Sequence, residues 1–179
     1  MTKIEILKNA FVTFAQNEEV AKNEALMKKE QAQNDEEKRE FKKLEQRAAT
    51  HEKYNVLLSD MSEKALQLAV KLKIDAQALA AQSRELKKRS IAILEAIANS
   101  QRVTDKALDA VLQRLAAKSD KTLTIAQIQR EMQHSTATQA SYFKTCAAFY
   151  NFAQYSKADK SVTFDYDAIV LKSLLALYA

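Results

Sequence analysis

The stretch Lys121–Phe164, KTLTIAQIQREMQHSTATQASYFKTCAAFYNFAQYSKADKSVTF, decides the fold. Thr124-Ile-Ala-Gln127 has the S/T-x-x-Q form of a capping box and starts a helix. Ile125, Ile128 and Met132 then fall on one helical face. Gln133-His-Ser-Thr136 interrupts that face. Thr136-Ala-Thr-Gln139 is a second capping box, and Ala140, Phe143, Ala147 and Tyr150 continue at helical spacing. Two short helices joined by a turn have the spacing of a helix-turn-helix. Gln154-Tyr-Ser-Lys157, a turn at Ala158-Asp-Lys160 and the alternating run Val162-Thr-Phe-Asp-Tyr166 then predict a hairpin.

Working outward, Thr104 is placed to cap a preceding helix, with Asp105 favourable at its positive end. Ala107, Leu108, Val111, Leu112 and Leu115 form its buried face, and Lys118-Ser-Asp-Lys121 ends it. Downstream, Asp167 is placed to cap a last helix, Ala168–Tyr178, which is more apolar than one buried face requires. It is expected in the core or against a second chain.

With Leu123-Thr124, Ile128, Met132, Ser135, Thr138 and Tyr142-Phe143, residues 104–166 resemble the winged helix-turn-helix family of bacterial, phage and plasmid DNA-binding proteins. The family usually has Gly in the turn, where Gln133 or His134 stands, and Val or Ile where Gln139 stands. A turn one residue longer would give Ala140 the buried place. The resemblance implies that the helix from Thr136 enters the major groove of duplex DNA. Thr138, Gln139, Ser141 and Lys144 would reach bases or phosphates, Gln139 pairing with adenine through two bonds. Ser135 and Thr136 would hold a phosphate at the helix start. Arg130 would lie on the DNA backbone, with Lys157 and Lys160 as wing contacts.

Composition narrows the alternatives. The 179 residues include no Gly, Pro or Trp, where about 7% Gly and 5% Pro are usual. This favours long helices, argues against sandwiches and barrels, and excludes phosphate-cradling loops built on Gly. The expected fold is therefore all-α or mostly α with one small β-hairpin. Net charge is +5, which permits a polyanionic partner without requiring one. Cys146 is the only cysteine, so disulfides within the chain and Cys-based metal sites are excluded; a small buried core residue is the expected role.

Residues 1–100 are expected to form a long antiparallel hairpin or coiled coil, and 101–179 the second domain. Ile4, Leu7, Phe11 and Phe14 make a short amphipathic face that suits docking on another helix. Residues 17–50 carry 17 charges in 34 positions, with acid-first pairs such as Glu18/Lys22 and Glu24/Lys28 four apart, as on a solvated helix. A turn is expected near 49–53 or 59–60. Leu58, Ala65, Leu72, Leu79, Leu86 and Ile93 then recur every seven residues, predicting a helix from 54 to 99 of roughly 70 Å. Leu7, Phe11 and Phe14 would pair with Ile91, Leu94 and Ile97, and Phe41 and Leu44 with Tyr54, Leu57 and Leu58. A second chain is expected to cover Leu72, Leu79 and Leu86, giving a homodimer through 54–99, 168–178 or both. Arg84-Glu-Leu-Lys-Lys-Arg89 reads as a solvated basic face or a DNA-backbone contact.

No catalytic constellation, cofactor motif or metal-ligand spacing is found. His51 and His134 are far apart, and Asp159, Asp165 and Asp167 suit turns and caps. No apolar run resembles a signal peptide or a membrane span, so a cytoplasmic protein is expected. Three functions remain open. The first is a dimeric, non-enzymatic duplex-DNA-binding protein, of regulator or replication/partition type. The second is a helical adaptor or inhibitor that binds another protein. The third is a structural coiled-coil subunit.

Overall fold

The computed structural model describes residues 1–132 and 137–179. The fold is mostly helical with one small three-stranded sheet. The chain divides into two compact units, residues 1–88 and 89–179, rather than at residue 100.

The first unit begins with α1 (Lys3–Gln31) and α2 (Asp35–Ser59). Of the expected turns, the one at 49–53 falls inside α2 and the one at 59–60 is where α2 ends; the turn between α1 and α2 lies at residues 32–34. Asn34 causes it: its side chain accepts from the Glu37 amide at 2.9 Å, and Glu37 accepts from the Gln33 amide at 2.9 Å. This N-x-x-E cap, which starts a helix, was hidden inside the charge run. Lys22–Glu52 at 2.6 Å and Lys29–Glu45 at 2.8 Å fix an antiparallel register. In the same register the small buried residues Ala25 and Ala48 face each other, which lets the helices approach where large apolar residues are absent.

The expected rod over 54–99 is instead the end of α2 followed by α3 (Glu63–Lys71), α4 (Ala76–Ala80) and α5 (Arg84–Asn99). Ser62 and Asp75 cap α3 and α4, and Ser83 Oγ accepts from the Leu86 amide at 3.4 Å. Each cap begins a new helix and breaks the heptad. Leu79 and Leu86 are buried within this chain at 0% and 1% exposure, so neither awaits a second chain. Leu7 and Phe11 are buried, and α1 packs against α2, α3 and α4. Phe41, Leu44, Tyr54, Leu57 and Leu58 all lie on α2, so the expected pairing across a tip does not form.

A polar cluster sits inside this unit. Lys87 is fully buried and donates to Asn55 Oδ1 at 2.8 Å, with His51 Nδ1 at 3.3 Å and Glu18 3.7 Å from that nitrogen. Burial pushes Lys87 down to about 8, opposed by the Glu18 carboxylate. Burial and then the Lys87 charge lower His51. Lys87 and Arg89 are thus neither a solvated face nor a DNA-backbone contact.

The second unit takes the rest of α5 and continues through α6 (Lys106–Lys118), β1 (Thr122–Thr124), α7 (Ile125–Glu131), α8 (Ala137–Phe149), β2 (Ala153–Ser156), β3 (Ser161–Phe164) and α9 (Ile169–Leu175). The sheet is antiparallel in the order β1-β3-β2, with Leu123 opposite Val162 and Ser156 opposite Ser161. Asp105, not Thr104, caps α6 by accepting from the Leu108 amide at 3.0 Å. Asp167 does not cap α9: the N-cap is Ala168, without a side-chain bond, and the Asp167 amide donates to Asp165 Oδ1 at 3.0 Å. Val170, Leu171 and Leu174 of α9 are buried and α9 packs on α6, while Ile169 remains 69% exposed.

Absent Gly does not remove left-handed turns. Lys73, Ser100, Ser119, Asn151 and Lys160 have φ between 47° and 55°. Three of them close Schellman caps. The Ile74 amide reaches Ala69 O, the Gln101 amide Ala96 O and the Phe152 amide Ala147 O, each at 3.0 Å.

Two stability predictions follow from these features. Lys73→Gly, Ser100→Gly and Ser119→Gly should each stabilise the chain by about 0.5–1 kcal/mol in denaturant unfolding, since relief of Cβ strain outweighs the entropy of Gly; a loss at all three would contradict the strain. Lys87→Met should be more stable than wild type at pH 7. Because the folded pKa lies below the ordinary one, the penalty is complete below pH 8 and vanishes as pH rises to 10.5. The gap should therefore narrow by on the order of 3 kcal/mol across that range, and a gap independent of pH would contradict the burial of a charge.

Candidate nucleic-acid interface

Helix α7 starts at Thr124 with both halves of the expected capping box. Thr124 Oγ1 accepts from the Gln127 amide at 3.2 Å, and Gln127 Oε1 accepts from the Thr124 amide at 2.7 Å. The preceding strand β1, absent from the sequence reading, holds this start to the hairpin: the Ile125 amide donates to Lys160 O at 2.9 Å. Three residues with one inward side chain are too short for the alternation to register. Arg114 of α6 closes the other side through Asp120 at 2.8 Å and through Glu131 at the end of α7. The Tyr166 hydroxyl donates to Asp120 O at 2.9 Å.

Helix α8 is anchored by Phe143, fully buried between Phe152 at 6.4 Å and Phe164 at 6.1 Å between ring centroids. Ala140, Cys146, Ala147 and Tyr150 share its inward side. The outward stripe is Thr138, Ser141, Thr145 and Ala148. Thr145 was not among the expected contacts, although its spacing from Thr138 and Ser141 would have found it. No carboxylate lies on α8. Lys144 is half-buried with Nζ 4.0 Å from the centroid of the Tyr155 ring. This cation–π contact ties α8 to β2 and keeps the lysine beside the stripe.

The remaining expected contacts divide three ways. Arg130, Lys157 and Lys160 are exposed. The hairpin turn that carries the two lysines is fixed by Ser156 Oγ, which donates to Asp159 Oδ2 at 2.8 Å. Gln139 is drawn inward. It stands two turns before Cys146 on the same side of α8, and its Oε1 accepts from Arg89 Nη2 at 2.8 Å while its carbonyl accepts from Nη1 at 3.2 Å. The acceptor needed for a two-bond adenine contact is already used. Ser135 and Thr136, with the expected turn at Gln133 and His134, lie outside the described residues.

Among the described residues no group of three or more His, Cys, Asp or Glu is placed to hold a metal ion, and no helix is long and apolar enough to cross a membrane. Comparison of the chain with family models, curated proteins and solved structures gives no match. Cys146 is fully buried, and burial pushes its thiol up to about 12. It should resist a thiol reagent at pH 8 in the folded chain and react promptly in denaturant; rapid labelling of the folded chain would contradict this packing.

Proposed function

We propose that residues 104–166 form a winged helix-turn-helix module that binds duplex DNA without catalysis. Helix α8 lies in the major groove and the β2–β3 turn acts as the wing. The observation that carries this reading is the outward stripe of Thr138, Ser141 and Thr145 on a helix without acids, flanked by Lys144 and by exposed Arg130, Lys157 and Lys160. Hydroxyls serve either kind of base-edge group, and the four cations meet phosphates. The order α6-β1-α7-α8-β2-β3 supports the same reading: the sheet closes against the helix pair and leaves one helix facing out.

Four phosphate contacts per chain give modest affinity, so the proposal includes a homodimer. The 54–99 seam residues Leu79 and Leu86 are not available for it. Exposed Ile169 on α9 and Val12, Val20 and Met27 on α1 are among the apolar residues available for pairing. A DNA-binding role of this bacterial, phage or plasmid type belongs in the cytoplasm. The second reading, a protein-binding adaptor, is favoured by Tyr142 and Phe149, half-exposed on α8, and by exposed Tyr155, since such aromatics anchor protein partners.

Fluorescence titration with mixed-sequence duplex DNA across a salt series separates the two. Eight phosphate contacts per dimer should weaken binding on the order of 10,000-fold between 50 and 200 mM salt, against about 100-fold for the four of a single chain. Lys144→Glu should lower affinity at least about tenfold at low salt. Absent binding, or binding indifferent to salt, contradicts the DNA reading and leaves the adaptor.

A further inference from the structure

Arg89 lies on α5 and is fully buried. Among the described residues its hydrogen bonds all go to Gln139, one to the backbone carbonyl and one to the side-chain oxygen. Among the described residues its Nε has no hydrogen-bond partner. A charge buried against a neutral amide, with a donor left over, is an expensive way to join two helices. An apolar side chain of similar length would fill the space at lower cost. The arrangement does give direction, because a guanidinium offers donors in a fixed planar fork. With two of them on one residue in the first turn of α8, it fixes both the height and the rotation of that helix.

Resting on the DNA-binding reading above, we propose that Arg89 is the positioning residue of α8. It touches no DNA; it holds Gln139 inward so that Thr138, Ser141 and Thr145 face outward. Rotating α8 by one residue would carry Thr138 or Ser141 off the outward stripe and bring Gln139 toward it. Gln139 is the clamp's anchor rather than a base reader.

The test compares wild type, Arg89→Met and Arg89→Lys by amide hydrogen exchange, thermal unfolding and titration with the same mixed duplex across salt. Arg89→Met should unfold at the same or a higher temperature. Its amides over 140–145 should exchange at least about tenfold faster, and its DNA affinity should fall about tenfold with the salt slope unchanged. Arg89→Lys keeps the charge but lacks the planar fork that meets both acceptors in fixed geometry, and should fall between the two. Unaltered exchange over 140–145 in Arg89→Met overturns the clamp, as does wild-type DNA affinity in that variant. A salt slope reduced by about two, one for each chain of the dimer, shows direct phosphate contact and overturns it too. Wild type that fails to bind duplex at low salt overturns the DNA reading itself, and Arg89's part in binding with it. Wild type that binds alongside an unaffected Arg89→Met overturns the clamp alone.

Discussion

A chain of 179 residues without Gly or Pro must stop its helices by other means, and that constraint shapes both units. The starts are side-chain caps: Thr2, Asn34, Ser62, Asp75, Asp105 and Thr124 each accept from a backbone amide of the following turn. Several ends are Lys, Ser or Asn held in the left-handed region, and after Asn151 the next residue helps offset the cost by packing back on the helix. Phe152, the residue after Asn151, shows the consequence best. It is fully buried against Phe143, so the end of α8 also delivers the aromatic that seats α8.

The same constraint explains which parts of the fold were legible in the sequence. Helical class, the capping box at Thr124, the buried face of α6 and the hairpin at 153–164 were readable because each rests on local spacing or a local cap. The rod over 54–99 was misread because a seven-residue recurrence of Leu and Ala fits a bundle of short helices equally well. Ser62, Asp75 and Ser83 were the signals that decided between them. Asn34 was missed for a related reason: in a run of charges, an amide at a cap has no apolar stripe to mark what it begins.

The candidate site was legible as residue types on a helix face, less so as roles. Thr138, Ser141, Lys144, Arg130, Lys157 and Lys160 are exposed or half-exposed, as an interface needs. Gln139 was misassigned because its partner is 50 positions away, and no local pattern announces a buried arginine. Lys87 and Arg89 illustrate the converse. In sequence they belong to a basic cluster that looks solvated; in the fold both are sealed, and each donates to a side-chain amide oxygen, Asn55 for one and Gln139 for the other. Charge counted along a sequence therefore overstates what the surface offers to a polyanion, and it leaves α8 and the hairpin turn as the part of the second unit where cations and an acid-free helix coincide.

The central claim is that this outward side of α8, together with the β2–β3 turn, meets DNA. Backbone amide shifts recorded while a short duplex is added to isotope-labelled protein address it most directly. The account predicts perturbations concentrated at Thr138, Ser141, Lys144 and Thr145 and at residues 157–160, with α1 and α2 unmoved. Perturbations centred on the α1–α2 hairpin, or none at a duplex concentration that saturates binding, would contradict it.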